Sequence, residues 1–172
     1  MTKEMNSPKN KILDQQQVLQ KIKRMAYEIY EQNYQETDIY LAGIPESGYL
    51  FAQILKKELE KITPINIHLF SIIVDKKDPL SNDIQLDTNP EQLENKTVII
   101  ADDVMNTGKT FFYALKPLLS IPLKKLQTAV LVNRSHTVYP VAVNFSGYEL
   151  ATILTEHIEV DLSEGKECVY LF

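Results

Sequence analysis

Cysteine occurs once in this chain of 172 residues, as Cys168. A lone thiol cannot close an intramolecular disulfide, so burial alone must hold the fold, and Cys168 reads as a packed residue rather than a nucleophile. Long hydrophobic runs are missing as well. No apolar stretch is long enough to cross a bilayer, and residues 1–10 are too polar for a signal peptide. The expected location is therefore the cytoplasm, with no membrane partner. Positive charge is also in short supply. Eighteen Lys and Arg against 23 Asp and Glu leave a net charge of −5, with an isoelectric point near 5.2. That balance counts against broad electrostatic binding of nucleic acid, RNA included. Repeats and low-complexity tracts are absent. Against these absences stands a hydrophobic content of 44%, enough for one domain with a sizeable core. The expected organisation is a floppy tail over residues 1–10 and a single domain over residues 11–172.

Periodicity divides the chain into alternating elements. Asp14 with Gln17 three residues later forms a capping box, opening a helix to about Asn33 with Val18, Ile22, Met25, Ala26 and Ile29 on one face. A strand is predicted over 38–43, broken by residues 44–48, then a helix over 49–61 and a strand over 65–74. His68 in that strand reads as a packed or partly exposed histidine. Residues 75–95 are polar, contain Pro79 and Pro90, and show little periodicity; a segment of that kind in a compact domain is functional or disordered. A central strand over 97–102 follows, then a helix over 108–119 that Pro117 shortens. Further strands are predicted over 126–132, within 138–145, and over 168–172, the last buried. Strands alternating with helices predict an α/β domain with a mostly parallel sheet. Ligands bind such sheets at the C-terminal strand ends, where Asp102 and residues 45–48 fall.

The most informative stretch is 98–110, which reads V-I-I-A-D-D-V-M-N-T-G-K-T. An apolar run suits a strand buried on both faces, and Asp102 and Asp103 come next, at an expected solvent-accessible strand end. Residues 106–110 then form a polar turn before an apolar, helix-forming segment. A helix start offers backbone N–H groups to a phosphate. Gly108 lets the backbone approach it, and the hydroxyls of Thr107 and Thr110 can donate to its oxygens. The carboxylates cannot bind phosphate, but they can accept from a sugar diol or face a bound Mg²⁺. Such a layout describes a ribose 5-phosphate. A nucleotide P-loop is excluded, because its pattern requires glycine where Asp103 stands.

Residues 98–110 resemble the phosphoribosyl pyrophosphate (PRPP) signature of the type I phosphoribosyltransferases, with Ala101 smaller and Asn106 larger than is usual. Residues 11–14, 40–44, 81–83 and 129–134 fall in the order and spacing of one subfamily, the bifunctional pyrimidine operon regulator / uracil phosphoribosyltransferases. The resemblance implies a three-layer fold with a small hood and a mobile flap, a homodimer, Mg²⁺ as cofactor, and PRPP or a nucleoside monophosphate as ligand beside a nucleobase. It implies transfer of ribosyl 5-phosphate to a base, uracil first among them, or else a catalytically weak nucleotide-binding regulator. Asp102 and Asp103 would hold the ribose hydroxyls and the metal, and Val104, Met105, Asn106, Thr107, Gly108, Lys109 and Thr110 the 5-phosphate. The pyrophosphate loop would be Pro45, Glu46, Ser47 and Gly48. Residues 75–95 would form the flap, with Lys76 and Lys77 as its cations. Arg134 would contact phosphate or base, His136 reads as an ordinary loop histidine, and Phe145, Ser146, Gly147 and Tyr148 match the base-recognising hood. The chain departs from its relatives where they carry cations: Glu46 and Ser47 replace their Lys or Thr and Arg, and Ser71 replaces an arginine.

Overall fold

The computed structural model describes residues 9–152 and 156–172. The expected tail lies outside the described residues through position 8, whereas Asn10 already begins a strand, β1 (Asn10–Leu13). Helix α1 (Gln15–Asn33) starts as the sequence predicts. Asp14 accepts from Gln17 N, and the Gln17 side chain accepts from Asp14 N. Strand β2 (Asp38–Gly43), helix α2 (Ser47–Ile62) and strand β3 (Asn66–Ile73) follow in register with the expected pattern. Residues 75–95 are largely irregular, but they include β4 (Gln85–Leu86) and a 3₁₀ turn (Pro90–Leu93).

Strand β5 (Thr97–Met105) runs three residues past its expected end. The extension arises because β6 (Lys125–Asn133) pairs with it as far as Met105 opposite Asn133. Asp103 therefore belongs to the strand, with Asp102, rather than to the loop after it. Helix α3 (Lys109–Ala114) is shorter than expected, and Pro117 falls in a separate 3₁₀ turn (Lys116–Leu118). The strand expected within 138–145 is instead β7 (Phe145–Glu149). Ahead of it, Asn144 Oδ1 accepts from Thr128 N and Thr128 Oγ1 donates to Ala142 O, side-chain bonds that stand in for a ladder there. Strands β8 (Ile158–Asp161) and β9 (Cys168–Leu171) complete the chain. The expected terminal strand exists, though only Cys168 and Val169 are fully buried within it.

Among the described residues the strands form a six-stranded sheet, in the order β4-β3-β2-β5-β6-β7, and a three-stranded sheet, β1-β9-β8. The larger sheet is parallel except for β4. One of its faces buries Ile22, Met25 and Ile29 of α1 with Phe51, Leu55 and Leu59 of α2 against Ile39, Leu41 and Ile99. The other buries Phe111, Ala114 and Leu118 against Ile100 and Val130. Strand β5, apolar on both faces, is the layer between, which is why residues 98–101 read as an unbroken apolar run. No helix of the described residues is long and apolar enough to cross a membrane.

The chain leaves β2 for β3 on one side, then crosses back to place β5 on the other. Connections diverge above the β2–β5 pair, and the crevice opened by that divergence is where an α/β sheet accepts ligands.

Candidate functional site

Two loops meet at this crevice. The first follows β2: Ile44 N donates to Ala101 O at 3.0 Å, the Pro45–Glu46 peptide is cis, and α2 begins at Ser47. Gly48 lets the helix start sit directly on β5. A β-carbon there would collide with Asp102 Oδ1 and lie 3.0 Å from Asp102 Cα. The second loop follows β5. Gly108 adopts φ 81°, a left-handed conformation that glycine reaches without penalty, and it turns the chain into α3. Thr107 O accepts from Val138 N at 2.8 Å and Tyr139 N at 3.0 Å, so the loop is braced from a segment thirty residues downstream. That brace carried no sequence signal, because it is built from main-chain groups.

The acid pair is asymmetric. Asp102 is 3% exposed, contrary to its expected position at an accessible strand end; Gly48 and the start of α2 cover it. Burial raises its pKa well above the ordinary carboxylate range, and the neighbouring charge of Asp103 adds to the effect. Asp102 Oδ1 accepts from Asp103 N at 2.9 Å and from Lys76 Nζ at 2.8 Å. Lys76 Nζ also lies 3.6 Å from Asp103 Oδ1. Lys76, expected as a cation of the 75–95 segment, is thus drawn onto the acid pair.

A cavity of about 270 Å³ is lined by Ser47, Lys76, residues 102–111 and Ile158. It thus gathers the acid pair and every residue predicted to cradle a 5-phosphate. Met105 lines it although its side chain belongs to the core that holds Phe111 and Ile100. Val104 likewise packs its side chain against the opposite core. Ile158 enters from β8 in the small sheet, and nothing in the sequence near it announced that role. A neighbouring cavity of about 440 Å³ is lined by Pro45, Glu46, Ser47, Val74, Asp75, Lys76 and Lys77. Ser47 and Lys76 form the wall shared by the two.

Arg134 and Tyr148 line neither cavity. Arg134 donates from Nε to Thr152 Oγ1 at 2.7 Å, and its terminal nitrogens donate to Asn106 Oδ1 at 3.0 Å and Glu156 O at 2.9 Å. It therefore ties the loop after β5 to the chain leading into the small sheet. His136 Nε2 bonds Thr152 O beside it. Tyr148 lies on edge strand β7 of the main sheet, which pairs in parallel with β6. Its ring faces α1, with Lys21 Nζ 4.9 Å from the ring centroid, and Arg24 of α1 donates to Ser146 O and Gly147 O. The segment expected to form a hood is thus part of the main sheet, and the element standing over the cavity is the small sheet. At the opposite end of the strands His68 bonds Asp38 at 2.9 Å and stacks on Tyr40, as a partly exposed structural histidine does.

Comparison with known proteins gives the family and the fold. Residues 9–163 match the model of the phosphoribosyl transferase domain. The chain is 31% identical over 163 residues to the bifunctional protein PyrR of Enterococcus faecalis, covering 91% of this chain and 92% of that one. Against the bifunctional protein PyrR of Brevibacillus brevis the identity is 33%, covering 91% of each. Against that of Fusobacterium nucleatum it is 34%, covering 93% and 96%. Among solved structures, the hypoxanthine phosphoribosyltransferase of Trypanosoma cruzi superposes with a TM-score of 0.75 at 16% identity, covering 94% and 95%. A hypoxanthine-guanine phosphoribosyltransferase of Bacillus anthracis gives 0.71 at 18%, covering 94% and 96%. Identities this low show a shared fold.

Proposed function

Because this chain belongs to the family of phosphoribosyl transferase domains, we propose that its crevice binds PRPP and that the protein transfers ribosyl 5-phosphate from it to a nucleobase, uracil foremost. The observation carrying this reading is the meeting, in one cavity at the sheet's switch point, of the acid pair with the glycine turn of residues 106–110. The loop's amides and the hydroxyls of Thr107 and Thr110 would hold the 5-phosphate. Asp103, the more exposed carboxylate, would accept from the ribose hydroxyls, with buried Asp102 behind it. Both would stabilise positive charge developing at the anomeric carbon as its bond to pyrophosphate breaks and the bond to the base nitrogen forms. The protein positions and supplies electrostatics, and no side-chain nucleophile is needed. Ile158 would offer an apolar surface to the base.

The donor set fits Mg²⁺. Among the described residues no three His, Cys, Asp or Glu side chains are grouped to enclose a metal, and the site offers two carboxylates. Magnesium is held in that manner, by one or two carboxylates with substrate oxygens and water completing its shell. When bound it would neutralise the pyrophosphate leaving group.

A second reading, a nucleotide-sensing regulator with weak turnover, is favoured by Glu46. It is an exposed carboxylate on the loop expected to face the diphosphate, with no loop cation to offset it. Incubation with PRPP, Mg²⁺ and a panel of bases decides between the two, with pyrophosphate release as the readout. Uracil-dependent release is the expected result. Absence of release with every base tested, combined with a melting shift on adding uridine monophosphate, would leave the regulator.

A further inference from the structure

Lys76 is placed for two different tasks. It lies just beyond β3, at the start of the irregular segment 75–95. Its ammonium bonds Asp102 Oδ1 at 2.8 Å and lies 3.6 Å from Asp103 Oδ1. It also lines the second cavity, facing Pro45, Glu46 and Ser47. Its side chain keeps 34% of its surface exposed while that of Asp102 keeps 5%, so the carboxylate is fixed and the lysine is free to leave. A long, flexible stem and a compact charge suit a group that changes partners. The need at each place is plain. Two adjacent carboxylates, one of them buried, require a cation when no ligand supplies one. The loop of residues 45–48 offers a diphosphate no cationic side chain, and neither does Ser71 of β3, whose hydroxyl faces Gly43 O.

We propose that Lys76 is a counter-cation with two stations: in the ligand-free protein it neutralises the acid pair and keeps a divalent metal off it, and when metal and diphosphate enter it turns to the neighbouring cavity and binds the diphosphate. The second station rests on the reading of the crevice given above, whereas the first does not. On this account the cation for the diphosphate comes from the base of the 75–95 segment, and ligand entry and the position of that segment are coupled through one side chain.

The experiment uses Lys76→Gln and Lys76→Arg in the full chain, with Lys57→Gln on the exposed face of α2 as an equal charge change away from the crevice, and thermal melts to confirm folding. Mn²⁺ binding without nucleotide is read at pH 8 from the electron paramagnetic resonance signal of the free ion. Lys76→Gln should bind Mn²⁺ more tightly than wild type, on the order of tenfold, the effect of one unit charge on a divalent ion across a few ångströms of wet surface. Lys76→Arg and Lys57→Gln should match wild type. At saturating Mg²⁺, Lys76→Gln should weaken PRPP several-fold while leaving uridine monophosphate, which lacks the diphosphate, no weaker; Lys76→Arg should retain PRPP. Equal Mn²⁺ affinity in Lys76→Gln and wild type overturns the first station, and equal loss of both ligands overturns the second. If wild type binds neither ligand, the reading of the crevice fails and the second station with it, while the Mn²⁺ titration still decides the first.

Discussion

At the scale of single residues, the informative contrast is between Asp102 and Asp38. Both are tied to lysines, yet their proton affinities move in opposite directions. Hydrogen bonds from His68, Lys96 and Thr37 hold Asp38 below the ordinary carboxylate range, so it favours the ionised form. Burial and the charge of Asp103 raise the pKa of Asp102, and Lys76 offsets part of that rise. The sign of the linkage follows. A carboxyl whose folded pKa exceeds its unfolded value stabilises the fold fully below the unfolded pKa, near 4, and that contribution is lost as pH rises through the folded value. Asp102→Asn, which cannot ionise and keeps the side chain's shape, escapes this loss. Its melting temperature relative to wild type should therefore rise between pH 4 and pH 8 in the ligand-free protein, while the response to ligand falls. Thermal unfolding across that range checks the sign, and a difference that is flat or shrinks with pH contradicts the assignment.

At the scale of elements, the junction of β2 with α2 matters most. Gly48 seats the helix start against Asp102, and the three residues before it aim whatever charge they carry at the second cavity. That charge is negative. A unit pair about 4 Å apart at an effective dielectric near 20 is worth roughly 4 kcal/mol before screening, and solvent and Mg²⁺ reduce it substantially. Replacing Glu46 by Thr and Ser47 by Arg removes the repulsion and adds a bidentate donor. The double variant should tighten PRPP more than uridine monophosphate, since only the former reaches this loop. Dissociation constants for both ligands at fixed Mg²⁺ measure it. Equal tightening would mark a general charge effect and detach the loop from the diphosphate.

At the scale of the whole molecule, the crevice is assembled from parts that are remote in sequence: the ends of β2 and β5, the base of residues 75–95, and β8 of the small sheet. Arg134 bonds across this assembly, from Asn106 to Thr152 and Glu156. A ligand that engages these parts together stabilises the native state alone. At about a hundred times its dissociation constant it adds roughly 2.7 kcal/mol, which in a domain of this size corresponds to about 5 to 10 °C in melting temperature. PRPP or uridine monophosphate with Mg²⁺ is expected to produce that shift in a thermal melt. No shift with any phosphorylated ribose at millimolar concentration would remove the proposed function.

By itself the sequence determined what depends on neighbours along the chain. The capping box at Asp14, the apolar face of α1, the two-sided apolar run of β5 and the glycine turn at 106–110 are set by local periodicity and backbone preference, so they were legible before any fold was known. Together they specified an α/β sheet with a glycine turn at the end of its central strand. Tertiary structure alone decided what depends on distant partners. Pairing with β6 carried β5 on to Met105, and the approach of α2 buried Asp102. Pairing of β1 and β8 with β9 raised the small sheet that brings Ile158 to the cavity, while β7 drew Tyr148 away to α1. Lys76 shows the difference most clearly: its charge is written in the sequence, but the acid pair it neutralises lies 26 residues away, and only the closing of the sheet brings the two within hydrogen-bonding reach.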